Sequence, residues 1–324
     1  MSKILVTGAA GFIGSSLVRE LCNQGHEVSA IDNLVTGNME NLSGILDSID
    51  FREGDVRDQA LINSMCRDVE IIFHEAALPS VPKSVLDPAT SHQANIEGTF
   101  SLLLAARDAG VRRIVYAASS SAYGESPTLP KHEAMLPAPI SPYAVQKLTG
   151  ELYMQSFARV YDMETVCLRY FNVFGPCQAA DSPYSGVLAK FISSMLSGVA
   201  PVIYGDGSQS RDFTYIQNVV QANLLAASAP AQQVSGKVYN IACGESHSLL
   251  DTCYTLAHLI GFNKEPVFSA PRTGDIRHSL AAIEKAKEDL GYCPTIGFVE
   301  GLSRTIDWYA GRMRLAPELV SAAS

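Results

Sequence analysis

The stretch TGAAGFIG, residues 7–14, decides the fold, because it joins an apolar run to a helical pattern through a glycine turn. The run before it, KILVTG (3–8), is typical of a buried strand, and FIGSSLVRELCNQG (12–25) of a helix that ends at a glycine. The glycines of the turn are Gly8, Gly11 and Gly14. They let the backbone approach a bound pyrophosphate, and the helix N-terminus supplies N–H donors. The stretch therefore predicts a dinucleotide site.

An acidic residue beyond the turn indicates which dinucleotide is bound. Asp32 ends the next predicted strand, EVSAID (27–32), and DNLVTG follows it without an arginine. A carboxylate at this place can accept hydrogen bonds from the ribose hydroxyls and would repel a 2′-phosphate. NAD is therefore predicted rather than NADP.

Apolar runs alternate with helical patterns as far as residue 173. Further strands are predicted at 49–56, 69–77, 112–120 and 163–173, and helices at 58–67, 94–110 and from residue 142. Strands that are apolar throughout and separated by helices indicate a parallel sheet covered on both faces. We predict a doubly wound α/β domain over 1–173 and a smaller α/β lobe over 174–324. Elements around 212–245 are candidates for return to the main domain.

Composition excludes several classes of protein. The 324 residues are 47% hydrophobic and carry a net charge of −9 without a basic run, which argues against a nucleic-acid partner. No apolar run approaches the length of a membrane span. Seven scattered cysteines without a Cys-x-x-Cys pair favour a reducing compartment and no metal site. We expect a cytoplasmic protein.

Small and polar residues follow the predicted strands at the edge where a ligand would bind. Asp55 and Val56 end the third strand, where the adenine would lie. Ala76 and Ala77 end the fourth, where small side chains leave room for the pyrophosphate and the nicotinamide. His74 is interpreted as a packed histidine rather than an acid or base.

A tyrosine and a lysine stand one helical turn apart in SPYAVQK (141–147), after a fifth strand that ends in three serines. A tyrosine normally loses its proton near pH ~10. The ammonium of Lys147 and a cationic nicotinamide are expected to lower the pKa of Tyr143. The phenolate could then remove a proton from a substrate alcohol while the Ser119 hydroxyl holds the same oxygen. These three residues are the predicted catalytic set.

The chain resembles the extended short-chain dehydrogenase/reductase superfamily, specifically the UDP-galactose 4-epimerase-like enzymes, and among these the UDP-N-acetylglucosamine 4-epimerases. The resemblance covers residues 3 to about 310. Its motifs are TGAAGFIG, IDNL, GDVRD, HEAA, NIEGT, AASSSAYG, SPYAVQK, LRYFNVFGP, GDGSQSRDFTYI and RTGDIRHS. Each motif is modest alone, but ten in this order are highly specific.

The resemblance implies a Rossmann-type domain, NAD as cofactor, a UDP-sugar as substrate and a homodimer formed through helices 94–110 and 142–160. The implied cofactor positions are Phe12, Ile13, Asp32, Asn33, Gly37, Asp55, Val56, Ala76, Ala77, Asn95 and Tyr170. The implied nucleotide positions are Asn172, Val187, Leu188, Val202, Tyr204, Arg211, Arg272 and Asp275. Two arginines suit a diphosphate because each can donate paired, charge-assisted hydrogen bonds.

The resemblance also indicates the reaction. Dehydratases of this superfamily carry an Asp-Glu pair where this chain has Ser120 and Ser121, so the acid and base for removing water are missing. We therefore expect 4-epimerisation through a transient 4-keto sugar, with these two serines at the substrate.

One position indicates the sugar. Ser279 aligns where a bulky tyrosine narrows the sugar pocket in this family, so a small residue leaves room for an N-acetyl group at C2. UDP-GlcNAc and UDP-GalNAc are the predicted pair. The loop 77–85 matches a segment near the sugar, with Ser80 as a predicted contact, and its Lys83 could attract a C6 carboxylate. A UDP-glucose or UDP-hexuronate 4-epimerase therefore stays open. A sugar-nucleotide decarboxylase and a non-catalytic NAD-binding regulator are less favoured.

Overall fold

The structure is a computed structural model that describes residues 1–180, 186–271 and 276–322, with side chains as far as residue 314. The strands are β1 (Lys3–Thr7), β2 (Glu27–Asp32), β3 (Asp50–Glu53), β4 (Ile71–His74), β5 (Arg113–Ser119), β6 (Glu164–Tyr170), β7 (Val173–Phe174), β8 (Val202–Tyr204), β9 (Ser210–Arg211), β10 (Thr214–Tyr215), β11 (Lys237–Ile241), β12 (His247–Ser248) and β13 (Val267–Ser269). The helices are α1 (Phe12–Asn23), α2 (Gln59–Met65), α3 (Val81–Leu86), α4 (Pro88–His92), α5 (Gly98–Ala109), α6 (Pro142–Tyr161), α7 (Val187–Leu196), α8 (Ile216–Ser228), α9 (Ala231–Val234), α10 (Leu249–Ile260), α11 (Glu284–Leu290) and α12 (Phe298–Ala322).

Seven strands form one parallel sheet in the order β11-β6-β5-β4-β1-β2-β3. β1 pairs with β2 on one side and with β4 on the other, so the strand order reverses at β1. Side chains on both faces of the central strands are buried, which is why these strands are apolar throughout. The predicted doubly wound parallel sheet is confirmed, and its reversal point leaves a crevice at the carboxyl ends of the strands.

The second half of the chain forms short elements beyond this sheet. Three small two-stranded pairings join β7 to β10, β9 to β12 and β8 to β13. One later strand does return: β11 pairs with β6 from Lys237 opposite Val166 to Ile241 opposite Tyr170. Within the described ranges, no helix is long and apolar enough to cross a membrane.

Asp212 connects separate segments of the second half of the chain. Its carboxylate accepts backbone N–H groups from Cys243 at 3.0 Å, and from Gly244 and Ala281 at 3.1 Å each. Burial raises the pKa of Asp212 to about 6, although these hydrogen bonds oppose the shift. The carboxylate thereby fixes neighbouring Arg211 relative to the segment that holds Ser279.

Candidate active site

A cleft of about 1160 Å³ opens at the carboxyl ends of β1 to β6 and is also lined by residues from the second half of the chain. The predicted residues that line it are Gly8, Gly11, Phe12, Ile13, Gly14, Asp32, Asn33, Asp55, Val56, Ala76, Ala77, Ser80, Ser119, Ser120, Ser121, Tyr143, Lys147, Tyr170, Asn172, Arg211 and Ser279. Those that the structure places outside the lining are Gly37, Asn95, Val187, Leu188, Val202 and Tyr204. Arg272 and Asp275 lie outside the described residues.

The glycine turn leaves the start of α1 open to the cleft. Gly8 has a φ of +68°, and a Cβ at Gly14 would stand 2.1 Å from the Gly8 carbonyl oxygen, so the turn has no room for side chains. Gly11 caps α1 without any side-chain hydrogen bond. The first N–H groups of the helix are therefore available to an anion, which fits the pyrophosphate of a dinucleotide.

Asp32 is held rigidly beside this turn. Its two carboxylate oxygens accept the N–H groups of Ala10 at 2.9 Å and Leu34 at 2.8 Å. Burial raises the pKa of Asp32, and these backbone hydrogen bonds oppose the shift. A Cβ at Gly37 would lie 2.7 Å from Asp32 Oδ1, so Gly37 lets its loop wrap the carboxylate without lining the cleft. The arrangement fits the ribose end of NAD.

The far end of the cleft is polar and charged. Asn33 Nδ2 donates to Asp55 Oδ2 at 2.8 Å, and Arg57 forms an ion pair with the same carboxylate at 2.8 Å. The Arg57 hydrogen bond is the main reason that the pKa of Asp55 falls to about 2. Asp55 is therefore ionised and fixed where the adenine was predicted.

Asn95 supports the cleft from behind. Its side chain is 2% exposed, accepts the Leu78 N–H at 2.7 Å and donates to Gln146 Oε1 at 2.8 Å. These bonds fix the loop that follows β4, so the amide is occupied within the protein. Its predicted contact with the cofactor stays a prediction. Leu188, another position outside the lining, is a core residue that is 3% exposed.

The predicted catalytic residues meet in the cleft. Ser141 caps α6 by accepting the Ala144 N–H at 3.2 Å, and a proline follows at the first helical position. This start places Tyr143 and Lys147 on one face of α6. Ser119 ends β5 and lies near enough to the Tyr143 phenol to lower its pKa. The serine, the phenol and the ammonium thus share one wall.

Among the protein's own groups, burial outweighs any lowering of the Tyr143 pKa by the Lys147 ammonium, and the lowering expected from Lys147 together with a cationic nicotinamide stays a prediction. Burial raises the pKa of Tyr143 to about 12, with Ser119 opposing the shift and Glu75 adding to it. Lys147 Nζ instead donates to the Ala117 carbonyl at 2.8 Å. Local spacing predicted the pair of residues correctly but could not show that the ammonium is directed at the sheet.

Glu75 is a cleft residue that sequence reasoning missed. It follows β4 directly, and its Oε1 accepts the Tyr170 hydroxyl at 2.8 Å. Its neighbour His74 packs as predicted, with its ring nitrogens 2.7 Å from Thr7 Oγ1 and 2.9 Å from Thr99 Oγ1. Successive side chains of a strand point to opposite faces, so a buried His74 could have indicated that Glu75 faces the other way.

The last helix also reaches the cleft, which the sequence did not predict. Trp308, Tyr309 and Arg312 of α12 line it. The Tyr309 hydroxyl donates to the Gln178 carbonyl, and Arg312 pairs with Glu40. No short spacing relates residues this far apart, so only the folded chain reveals the contact.

On the substrate side, Asn172 adopts a φ of +36°, a conformation that asparagine tolerates better than most residues. Its Nδ2 donates to the Asp212 carbonyl at 3.0 Å and lies 3.5 Å from Ser279 Oγ. Ser121 Oγ donates to Ser119 Oγ at 2.9 Å. This wall is built of small polar groups, with no Asp-Glu pair at Ser120.

The family model for the NAD dependent epimerase/dehydratase family matches residues 4–242. The chain belongs to this family. The resemblance to the extended short-chain dehydrogenase/reductases is thereby confirmed, as are the NAD cofactor and the prediction of an NAD-dependent enzyme. The glycine turn, the open start of α1 and the held Asp32 fit that cofactor.

Relatives act on several sugars. UDP-glucose 4-epimerase from Mycolicibacterium smegmatis is 38% identical, covering 96% of this chain and 99% of the relative. UDP-N-acetylglucosamine 4-epimerase from Methanobrevibacter ruminantium, solved with UDP-N-acetylmuramic acid, is 38% identical with a TM-score of 0.92, covering 96% and 99% of the two chains. UDP-glucuronic acid 4-epimerase from Bacillus cereus, solved with UDP-glucuronic acid and NAD, is 32% identical with a TM-score of 0.88 and the same coverage.

Proposed function

We propose that this chain is a UDP-sugar 4-epimerase whose preferred substrates are UDP-GlcNAc and UDP-GalNAc. The similarity to UDP-sugar 4-epimerases over nearly the whole chain supports the reaction. These relatives differ in their sugars, so the choice of sugar rests on the cleft. The observation that supports the N-acetylated sugars is the small side chain of Ser279 at the cleft wall.

The catalytic wall supplies the proton chemistry. Tyr143 accepts the proton of the C4 hydroxyl, and the Ser119 hydroxyl holds the same oxygen. Bound NAD+ supplies the acceptor for the C4 hydride and a positive charge that favours the phenolate. The Lys147 ammonium adds positive charge to the same pocket. Tyr143 returns the proton when the 4-keto sugar is reduced.

Inversion requires that both faces of the 4-keto sugar meet the same wall. The sugar must therefore rotate while the UDP group stays bound, and Arg211 at the second-lobe side of the cleft is our proposed diphosphate contact. Ser120 and Ser121 provide no acid and base for removing water, so the reaction stops at epimerisation.

Room at the cleft wall favours an N-acetyl group. Ser279 Oγ is within 3.5 Å of Asn172 Nδ2, so two small polar groups stand together there. A hydroxyl and an amide can hydrogen-bond both the N–H and the carbonyl of an acetamido substituent. A tyrosine at 279 would fill this space.

A specific observation favours a second candidate. Lys83 lies in the cleft lining close to Ser80, where its ammonium could pair with a C6 carboxylate. UDP-glucuronic acid is therefore the second candidate substrate. UDP-glucose has neither the N-acetyl group at C2 nor the carboxylate at C6.

The test compares kcat/KM of the purified chain for UDP-GlcNAc, UDP-glucose and UDP-glucuronic acid. We expect the acetylated substrate to be preferred. Ser279→Tyr should lower kcat/KM for UDP-GlcNAc by roughly 10- to 100-fold, because a steric clash with the acetyl group costs ~1–3 kcal/mol. The same substitution should hardly change kcat/KM for UDP-glucose. Ser269→Tyr, at an exposed site, is the matched control. A strong preference of the unmodified chain for UDP-glucose contradicts the Ser279 argument.

A further inference from the structure

The base, the lysine and a third ionisable group share the floor of the cleft. Glu75 lines the cleft next to β4, and its Oε1 accepts the Tyr170 hydroxyl at 2.8 Å. Asn223 Nδ2 in turn donates to that hydroxyl oxygen at 2.8 Å. Asn223 Oδ1 also lies within reach of the Tyr170 hydroxyl, at 3.1 Å. The contact with Glu75 is the shorter one, and a charged carboxylate is the stronger acceptor, so donation of the single phenolic proton to Glu75 is favoured when that carboxylate is ionised.

Glu75 acts on both proposed catalytic groups. Burial lowers the pKa of Lys147, and the Glu75 carboxylate opposes that shift, so it helps to keep the lysine protonated. The same carboxylate adds to the raised pKa of Tyr143. Lys147 is 4% exposed, and its nitrogen has the Ala117 carbonyl at 2.8 Å and the Tyr116 ring centroid at 5.0 Å. Neither of these groups neutralises an ammonium.

The charges of the working site balance only when Glu75 is counted. During proton removal the pocket holds the Lys147 ammonium, the Tyr143 phenolate and the cationic nicotinamide, which together carry one excess positive charge. Burying an unbalanced charge is costly. The hydride leaves C4 and the proton leaves the oxygen bonded to C4, so a nicotinamide that accepts this hydride would be held close to Tyr143, one of the groups on which Glu75 acts.

We propose that Glu75 is a positioning residue that supplies the counter-charge for the oxidised nicotinamide and so makes the site bind NAD+ in preference to NADH. The inference rests on the roles proposed for Tyr143 and Lys147 and is independent of the sugar. A neutral dihydronicotinamide needs no counter-charge, so the effect distinguishes the two redox forms.

The ionisation of Glu75 gives the preference a pH dependence. Burial raises the pKa of Glu75, with Tyr170 and Lys147 opposing the shift. The titratable groups that interact with it are Lys147 and Tyr143 from α6 and Tyr170 from β6, whereas its strand neighbour His74 points to the opposite face of the sheet. Burial lowers the pKa of His74 to about 3, so this neighbour stays neutral near pH 7. The preference for NAD+ should therefore weaken as the pH falls through the pKa of Glu75.

The experiment measures the affinities of NAD+ and NADH for the cofactor-stripped full-length chain by calorimetry. Glu75→Gln keeps an oxygen for Tyr170 but removes the charge, and should weaken NAD+ about tenfold relative to NADH. The reduction potential of the bound couple should rise by about 30 mV, which is the same tenfold change for two electrons. Glu75→Asp should keep most of the preference, and Glu27→Gln, an exposed control, should keep all of it.

Equal weakening of both dinucleotides by Glu75→Gln would overturn the inference, because it indicates a structural defect. Should that variant fail to fold, the NAD+/NADH affinity ratio of the unmodified chain is measured from pH 8 to 5.5. A ratio that is flat over this range also refutes the role of Glu75. An unmodified chain that binds both dinucleotides but epimerises no UDP-sugar contradicts the proposed function instead.

Discussion

Gly14→Ala should remove the cofactor from this protein. The new Cβ would stand 2.1 Å from the Gly8 carbonyl oxygen and 2.8 Å from its carbon, whereas real Cβ contacts require 3.0 Å or more. The turn must therefore open by about 0.9 Å. Alanine is a better helix former than glycine, so the harm is purely steric.

The size of the effect follows from that displacement. A hydrogen bond from the start of α1 to a phosphate, normally about 2.9 Å long, would lengthen to about 3.8 Å and be lost. Each such charge-assisted bond contributes about 1.5–3 kcal/mol, so losing two weakens NAD binding by roughly 10²- to 10⁴-fold. Strain of about 1–3 kcal/mol should lower the melting temperature by several degrees.

The assay is calorimetric titration of NAD into the stripped chain, together with thermal unfolding. Gly297→Ala is the matched control, because a Cβ there meets no atom within 4 Å. The reasoning is refuted if Gly14→Ala binds NAD as tightly as the unmodified chain. A control that loses affinity to the same extent would refute it as well.

Three further outcomes are expected. Tyr143→Phe should lower kcat by about 10²- to 10⁴-fold while NAD binding persists; an undiminished kcat would show that the phenol is not the base. Burial lowers the pKa of His74 to about 3, whereas the pKa in the unfolded chain is near 6.5. Below pH 6.5 the unfolded chain therefore binds a proton that the folded chain does not, and the free energy of unfolding decreases as the pH is lowered. Chemical denaturation should show that the unmodified chain loses about 2 kcal/mol more than His74→Gln between pH 6.5 and 5, and equal losses would contradict this. The apolar side chains of Val145, Leu152 and Val160 on α6 are exposed, and we expect a homodimer through α5 and α6. In light scattering, Leu152→Asp should therefore be a monomer, whereas Leu136→Asp, a control at an exposed loop position, should remain a dimer. A monomeric unmodified chain would contradict this interface.

Local spacing predicted those parts of the site that depend on one turn or one helix. The glycine turn, Asp32 at the end of β2, and the pair Tyr143 and Lys147 each follow from a short stretch whose conformation limits where its side chains can lie. The parallel sheet followed from strands that are apolar on both faces.

Other features depended on contacts between distant segments. Glu75 accepts a hydrogen bond from Tyr170, which is 95 positions away in the sequence, and Arg312 forms an ion pair with Glu40 across 272 positions. The direction of the Lys147 ammonium depends on a β5 carbonyl, and the inward position of Asn95 depends on Gln146. No sequence pattern within one helix or strand indicates contacts between such distant residues. The charges and pKa shifts of the cleft could therefore not be predicted without the folded structure.

The position of β11 limits how this protein can be divided. A fragment that stops at residue 174 would lack the outermost strand, and β6 would present an unpaired margin able to pair with other chains. Exchanging the second half of the chain with that of a relative therefore requires three junctions, one near residue 174 and one on each side of 237–241, rather than a single cut. Diversification of such enzymes by recombination would meet the same constraint, which makes point substitutions along the cleft wall the easier route to a new specificity.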